Sequence, residues 1–264
     1  MPVFSLDGKK IKEEILPEVF SEAIEPELIE RAVLSINSAR KQPQGVMPHA
    51  GMNTTAEYRG SRKLPADVRG INIERSRLPR TKNRRAKNAG RVAGVPRAVG
   101  GPKAHPPKVE KKILEKINKK EKRKALKSAV AAAKEFSLVS KRHSLEKEIP
   151  LPIVIEDKFE ELKKTKDVIK ALSAIGLSRD LENAKKKTVM RSGKARRRGR
   201  TKKEKKSVLI VTGKDAPVYR AARNIEGVDI SPVNRLNAAL LAPGGMPGRL
   251  AVFTESALAE MKKW

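Results

Sequence analysis

Ten arginines crowd one stretch of this chain: Arg59, Arg62, Arg69, Arg75, Arg77, Arg80, Arg84, Arg85, Arg91 and Arg97. A guanidinium is a planar fork that holds a phosphate through two hydrogen bonds and stacks on a nucleobase. The stretch, Lys41 to Pro107, is 67 residues long, with 15 basic and 3 acidic side chains, an excess of 12. A second segment, Lys185 to Lys206, has 13 basic and 1 acidic in 22 residues, again an excess of 12. The net charge of the whole chain is +30, so the remaining 175 residues carry only +6. Charge concentrated in this way docks onto a polyanion, by phosphate neutralisation that weakens as salt rises. The candidate contacts in the first segment are Arg59, Arg62, Arg75, Arg77, Arg80, Arg84, Arg85, Arg91, Arg97, Lys103 and His105. In the second they are Lys194, Arg196, Arg197, Arg198 and Arg200, among Ser192, Gly193 and Gly199. Lys103 and Lys194 are chosen by charge and position alone.

Other chemistries find less support. The absence of Cys excludes disulfides, thiolate catalysis and Cys-based zinc sites. His49, His105 and His143 are far apart and lack a second ligand at helical spacing, so no metal site is expected. Each reads as a surface or phosphate-adjacent imidazole. Glu156, Asp157, Glu160 and Glu161 cluster where a strand ends, which suits helix-start acids better than paired catalytic carboxylates. Val211-Thr212-Gly213-Lys214-Asp215 is a strand-to-helix turn that could cradle a phosphate. It lacks both the dinucleotide fingerprint and the Walker spacing, and a lone glycine there serves the turn. No nucleophile elbow occurs. No catalytic residue and no cofactor are expected. The alternative from another class is a phosphate-ligand α/β enzyme with a basic RNA-targeting insertion, which would depend on Gly213 and Lys214.

These side chains need elements to position them. Val3 to Leu6 and Ile11 to Ile15 flank Asp7-Gly8, which suits a two-residue type I′ hairpin. Pro26 opens a helix to about residue 40, with Leu28, Ile29, Ala32, Val33 and Ile36 at helical spacing. Lys41 to Pro107 then holds 8 of the 17 Gly and 8 of the 17 Pro, with no sustained period. A structureless stretch of that length is functional or disordered, and cannot bury enough apolar surface to offset its ordering entropy. Its shape is expected to come from a partner. A hairpin of such length reaches at most roughly 110 Å.

Val109, Ile113 and Ile117 form a stripe that predicts a helix, breaking near Asn118. Asn118 and Glu121 have capping-box spacing for a second helix running to about Phe136. Its many lysines read equally as a solvated face. Beyond lies an alternating pattern: strands at 151–155, 207–211, 228–230 and 250–253, and helices from Thr165 (as cap) to Gly176, at 215–224, 233–241 and 256–262. Pro243 to Gly248 reads as a tight loop. The expected fold class is α/β: three layers, α/β/α, around a mostly parallel four-stranded sheet, with a long extended internal loop. Residues 1–40 and 108–264 would make the body, 41–107 an arm, and 185–206 a basic loop within the body. At 38% hydrophobic the chain can build one such core. No apolar run has the length of a signal peptide or a membrane span, so the chain reads as soluble and intracellular.

Several runs resemble the "L-four" family of ribosomal large-subunit proteins in its archaeal and eukaryotic form. In the arm these are His49-Ala50-Gly51-Met52, Arg77-Leu78-Pro79-Arg80, Pro96 to Gly101 and Ala104 to Lys111. Lys119 to Arg123, Ser128 to Ala132, Ala222 to Val228 and Leu236 to Gly245 follow in order, so the likeness spans essentially the whole chain. The resemblance implies a structural, non-enzymatic protein of cytoplasmic ribosomes. It would bind large-subunit rRNA early in assembly, beside neighbouring ribosomal proteins, with no membrane and no homo-oligomer. It further implies that the arm tip helps to line the nascent-polypeptide exit tunnel, with Arg62, Lys63 and Arg69 near that tip. One departure is the run Gly60-Ser61-Arg62-Lys63, where the family often has small residues with two glycines before its arginine.

Overall fold

A computed structural model describes residues 1–58, 77–82, 90–145 and 149–264. Arg59, Arg62, Lys63, Arg69, Arg75, Arg84 and Arg85 lie outside the described residues. The chain forms two compact units, one of residues 1–40 with 114–264, the other of residues 41–113.

In the larger unit, β1 (Pro2–Phe4) and β2 (Lys10–Glu13) pair antiparallel. The connection is longer than a two-residue turn. Gly8 N–H donates to Ser5 O and Ser5 N–H to Lys9 O, so the loop spans Ser5 to Lys9. Gly8 takes φ +77, where a Cβ would meet Ala174 O at 2.3 Å. Helix α1 (Pro26–Ala39) follows as its periodicity predicts.

The smaller unit contains β3 (Ala56–Glu57) and β4 (Arg80–Thr81), paired antiparallel. An isolated antiparallel bridge joins Arg80 to Val92. Not one described residue of 41–113 is buried. Order there comes from backbone approach. Gly101 has room only for hydrogen, since a Cβ would lie 1.9 Å from Val95 O, and Gly51 backs onto Gly101 and Pro102 in the same way.

The helix expected over 109–117 does not form. Lys108, Lys112 and Lys116 would stack like charges at i, i+4 and i+8 on such a helix. Instead Glu115 N–H donates to Ser38 Oγ at 3.0 Å, and only Ile117 packs against the core. Helix α2 (Lys119–Ala131) starts at Asn118, whose N–H donates to Glu121 Oε2 at 3.4 Å in a capping box. Helix α3 (Phe136–Ser140) is separate.

The rest of the body alternates strand and helix. Its elements are β5 (Ile153–Ile155), α4 (Thr165–Ala174), α5 (Ser178–Lys186), β6 (Val189–Met190), α6 (Gly193–Arg197) and β7 (Lys202–Lys203). They continue with β8 (Leu209–Thr212), α7 (Val218–Ala222), β9 (Asp229–Pro232), α8 (Ala238–Leu241), β10 (Ala251–Thr254) and α9 (Glu255–Met261). Thr165 is the first residue of α4 and not its cap; Lys164 holds the N-cap position without a side-chain hydrogen bond. Gly176 at φ +96 ends it, its N–H donating to Ser173 O and that of Leu177 to Leu172 O. Pro217 delays the start of α7 to Val218. The helix predicted over 233–241 is broken, because the Asn237 side chain accepts from Leu240 N–H and starts α8 afresh.

The sheet runs β2-β1-β5-β10-β8-β9, all parallel except β2. It has six strands, not four, because the N-terminal hairpin adds to the β5 edge. Alternation along each strand builds the layers. Val3, Val154, Leu209, Val211, Ala251 and Phe253 face α1, α2, α8 and α9. Phe4, Ile153, Ile155, Ile210 and Val252 face α4 and α7. Each of the Val, Leu, Ile and Phe side chains among them contributes about 1.5–3 kcal/mol on burial.

Candidate nucleic-acid interface

The basic segment after α5 folds back on itself. Val189 pairs with Lys203 and Met190 with Lys202, and Arg191 N–H donates to Thr201 O at 2.8 Å. One helical turn, α6, forms the tip and closes through Gly199 at φ +79 and Arg200 N–H to Ala195 O. Lys194, Arg196, Arg197, Arg198 and Arg200 are all exposed there. None takes part in an ion pair among the described residues. Five cations with no internal counter-charge repel one another and attract an anionic surface.

The stem is built differently. Lys205 Nζ lies 3.5 Å from Asp180 Oδ1, and Lys206 Nζ lies 2.9 Å from Asp229 Oδ1. Asp180, in the first turn of α5, is completely buried. Its Oδ2 faces His143 Nδ1 at 2.9 Å and accepts from Ser207 Oγ. Burial pushes the Asp180 carboxyl up, but the His143 and Ser207 hydrogen bonds and the Lys205 charge outweigh it and hold it below 3.8. Burial lowers His143 below 6.5 against the opposing pull of Asp180, so the ring is neutral at pH 7 and donates from Nδ1. His143 is therefore an interior residue, not the surface imidazole that its isolated position suggests. Arg249, 1% exposed, completes the joint: Nε donates to Ser207 O at 2.9 Å, Nη1 to Leu240 O, and Nη2 pairs with Asp229 Oδ2 at 2.7 Å. These buried partners escaped sequence reading. Only Arg249, beside the apolar run Leu250 to Phe253, carries a local signal; Asp180 and His143 sit among polar residues.

In the smaller unit, Arg77, Arg91, Arg97, Lys103 and His105 are exposed. Arg80 is half-buried and donates from Nη1 to Gly90 O at 3.0 Å, bracing the ladder. Lys103, His105, Lys108 and Lys111 line an open recess of about 660 Å³ with Gln44 and Glu110. Four basic side chains against one carboxylate fit it to an anionic group.

The strand ends of the body hold no such invitation. Gly213 N–H, the donor a phosphate would use, donates to Glu160 Oε1 at 3.0 Å. The same oxygen accepts from Thr254 Oγ1 at 2.7 Å and Ser256 Oγ at 2.6 Å. Glu156 accepts from Leu6 N–H, and Asp157 from Ser256 N–H. Asp157 and Glu160 lie in the first turn of a short 3-10 helix, Asp157–Glu161, as the sequence suggests, and with Glu156 they also stitch strand ends together. Among the described residues no cluster is spaced to hold a metal ion, and no helix is long and apolar enough to cross a membrane.

A three-layer α/β body whose strand-end donors are tied up by its own carboxylates, and whose basic hairpin is left without counter-charge at its tip, defines the class of an anion-binding scaffold. The sequence profile of the ribosomal protein L4/L1 family matches residues 14–264, and the chain belongs to that family. It is similar to the large ribosomal subunit protein uL4 of Methanoculleus marisnigri, 49% identical over 262 residues, covering 99% of this chain and 98% of that protein. The uL4 proteins of Methanococcoides burtonii and Archaeoglobus fulgidus are each 46% identical, covering 98% and 99% of this chain and 96% and 98% of their own lengths.

Proposed function

We propose that this chain is a structural, non-enzymatic constituent of the large subunit of cytoplasmic ribosomes. It binds large-subunit rRNA and contacts neighbouring ribosomal proteins. Near-complete alignment with archaeal large-subunit proteins supports this reading. The carrying observation is the separation of charge: outside the two basic segments the chain carries only +6, whereas Lys194, Arg196, Arg197, Arg198 and Arg200 are exposed and make no ion pair among the described residues.

The finer proposal assigns roles to the segments. Residues 41–107 act as the rRNA-penetrating arm and 185–206 as a second anchor. Binding occurs early in assembly, as a single copy. The arm reaches toward the nascent-polypeptide exit tunnel, with Arg62, Lys63 and Arg69 nearest its tip. The absence of any buried residue among the described part of 41–113 supports this, because such a segment gains most of its fixed shape from what it is threaded through.

Deleting residues 58–97 should leave the body's unfolding midpoint unchanged and cost most of the affinity for large-subunit rRNA. The slope of log affinity against log salt should shrink by about 0.7–0.9 for each phosphate that is no longer neutralised. Undiminished binding by the deletion variant would reject the arm's role. Saturable nucleotide binding abolished by Gly213→Ala would instead revive the enzyme alternative.

A further inference from the structure

The basic hairpin cannot aim itself. It has two residue pairs in its ladder, and Val189 and Met190, its only apolar strand residues, are 58% and 57% exposed. A two-stranded hairpin of this kind is marginal alone. Its orientation must be inherited from the stem, and there a charged joint replaces an apolar one.

Four chain segments meet at that joint. Helix α5 brings Asp180, and the strand leaving the hairpin brings Lys205 and Ser207. The turn after α3 brings His143 and Ser144, whose N–H donates to Asp180 Oδ1 at 3.3 Å. The segment before β10 brings Arg249. Gly227 lets the segments converge: at φ +79, a Cβ there would lie 2.4 Å from Lys205 O and 3.0 Å from the Ala184 side chain. Its carbonyl accepts from Ser207 N–H at 2.8 Å. Both limbs of the hairpin are therefore fastened within a few residues of where they leave the body.

A buried ionic cluster is a poor way to gain stability, because desolvation consumes most of the attraction and packed apolar side chains do as well or better. What it does supply is a single arrangement, since a carboxylate with four fixed partners has one satisfied geometry. We propose that Asp180 is a positioning residue for RNA binding: by clamping Lys205 and Ser207 it fixes the direction in which Lys194, Arg196, Arg197, Arg198 and Arg200 are presented. The inference rests on the RNA-binding reading above and assigns a role in it to a residue that touches no RNA.

The test is a double-mutant cycle on the full chain, with an in vitro transcript of large-subunit rRNA as the probe, titrated over salt. One arm neutralises the tip by changing its five cations to Gln. The other is Asp180→Asn, with Lys205→Gln as a milder variant that leaves the His143–Asp180–Ser207 contacts in place. One arm lies at the hairpin tip and the other at the joint beneath it, so independent effects would add. The expected result is a roughly tenfold weaker affinity and a shallower salt slope for Asp180→Asn and, to a lesser degree, for Lys205→Gln. Neither change should cost anything further once the tip is neutral. A purely structural role predicts the same fractional loss with and without the tip cations, and that outcome overturns the proposal. Should Asp180→Asn fail to fold, by circular dichroism, the Lys205→Gln cycle decides. If the neutral tip binds as tightly as wild type, the hairpin is no anchor and the positioning role falls with it, while the arm's role stands.

Discussion

Residues 153–155 and 99–101 show two ways of holding a chain in place. Ile153, Val154 and Ile155 are fully buried, each wedged between neighbouring strands and the helices of one layer. Val99 is 85% exposed, and two residues on Gly101 is held by backbone proximity, with Val95 O 1.9 Å from where a Cβ would be. The body is specified by apolar volume, whereas the described part of 41–113 is specified by glycine, proline and short hydrogen-bonded ladders. Volume makes a region stable in isolation. Backbone fit gives a thin, highly charged strand its local form but little free energy, which suits a segment that must enter a crowded polyanion.

The sharpest way to break this contrast is truncation in the core. Phe253 is fully buried and meets Phe20 edge-on, ring centroids 5.3 Å apart. Phe253→Ala should destabilise the protein by about 3–5 kcal/mol, read as a lowered denaturant midpoint. Val99→Ala in the smaller unit should change it by less than about 0.5 kcal/mol. Comparable losses from the two substitutions would mean that the units share one stability source.

The same contrast explains what the sequence reveals and what it hides. Strand β8 is legible because Val208 to Val211 is a continuous apolar run, as a strand buried on both faces requires. The capping box at Asn118 is legible because its partners are three residues apart. The stripe Val109, Ile113, Ile117 misleads, since periodicity alone does not register stacked lysines or the Ser38 hydroxyl that captures Glu115 N–H. The exposed cations of the site could be read from composition. The Asp180 joint could not, as His143 and Arg249 come to it from 37 residues before and 69 after, and no local pattern couples them.

Acid provides a second, smaller probe of the body. His143 has a folded-state value depressed below 6.5, facing Asp180 with Lys205 and Arg249 nearby. The unfolded chain therefore takes up a proton first as pH falls, so the stability tied to a neutral His143 is complete above about 6.5 and is lost below it. Asp180 and Asp229, both depressed below 3.8, add a further loss only in stronger acid. Unfolding midpoints from pH 7.5 to 5 should decline in the wild type, and His143→Gln should flatten that limb. An unchanged slope in the variant would place the proton uptake elsewhere.

The smallest effect on global stability, and the most telling one, is expected at Gly101. A methyl group there would meet Val95 O at 1.9 Å, so the turn closed by Gly101 N–H to Ala98 O must open. No buried side chain of 41–113 is displaced by that opening, because the described part has none. Gly101→Ala should therefore leave the unfolding midpoint within about 0.5 kcal/mol of wild type while raising amide exchange from residues 95–102 and weakening rRNA binding. A cooperative drop in the midpoint would show that backbone fit in the smaller unit is coupled to the core of the larger one. Faster exchange with full rRNA affinity would show instead that the bound RNA restores the turn, making the partner, and not the glycine, the final source of its shape.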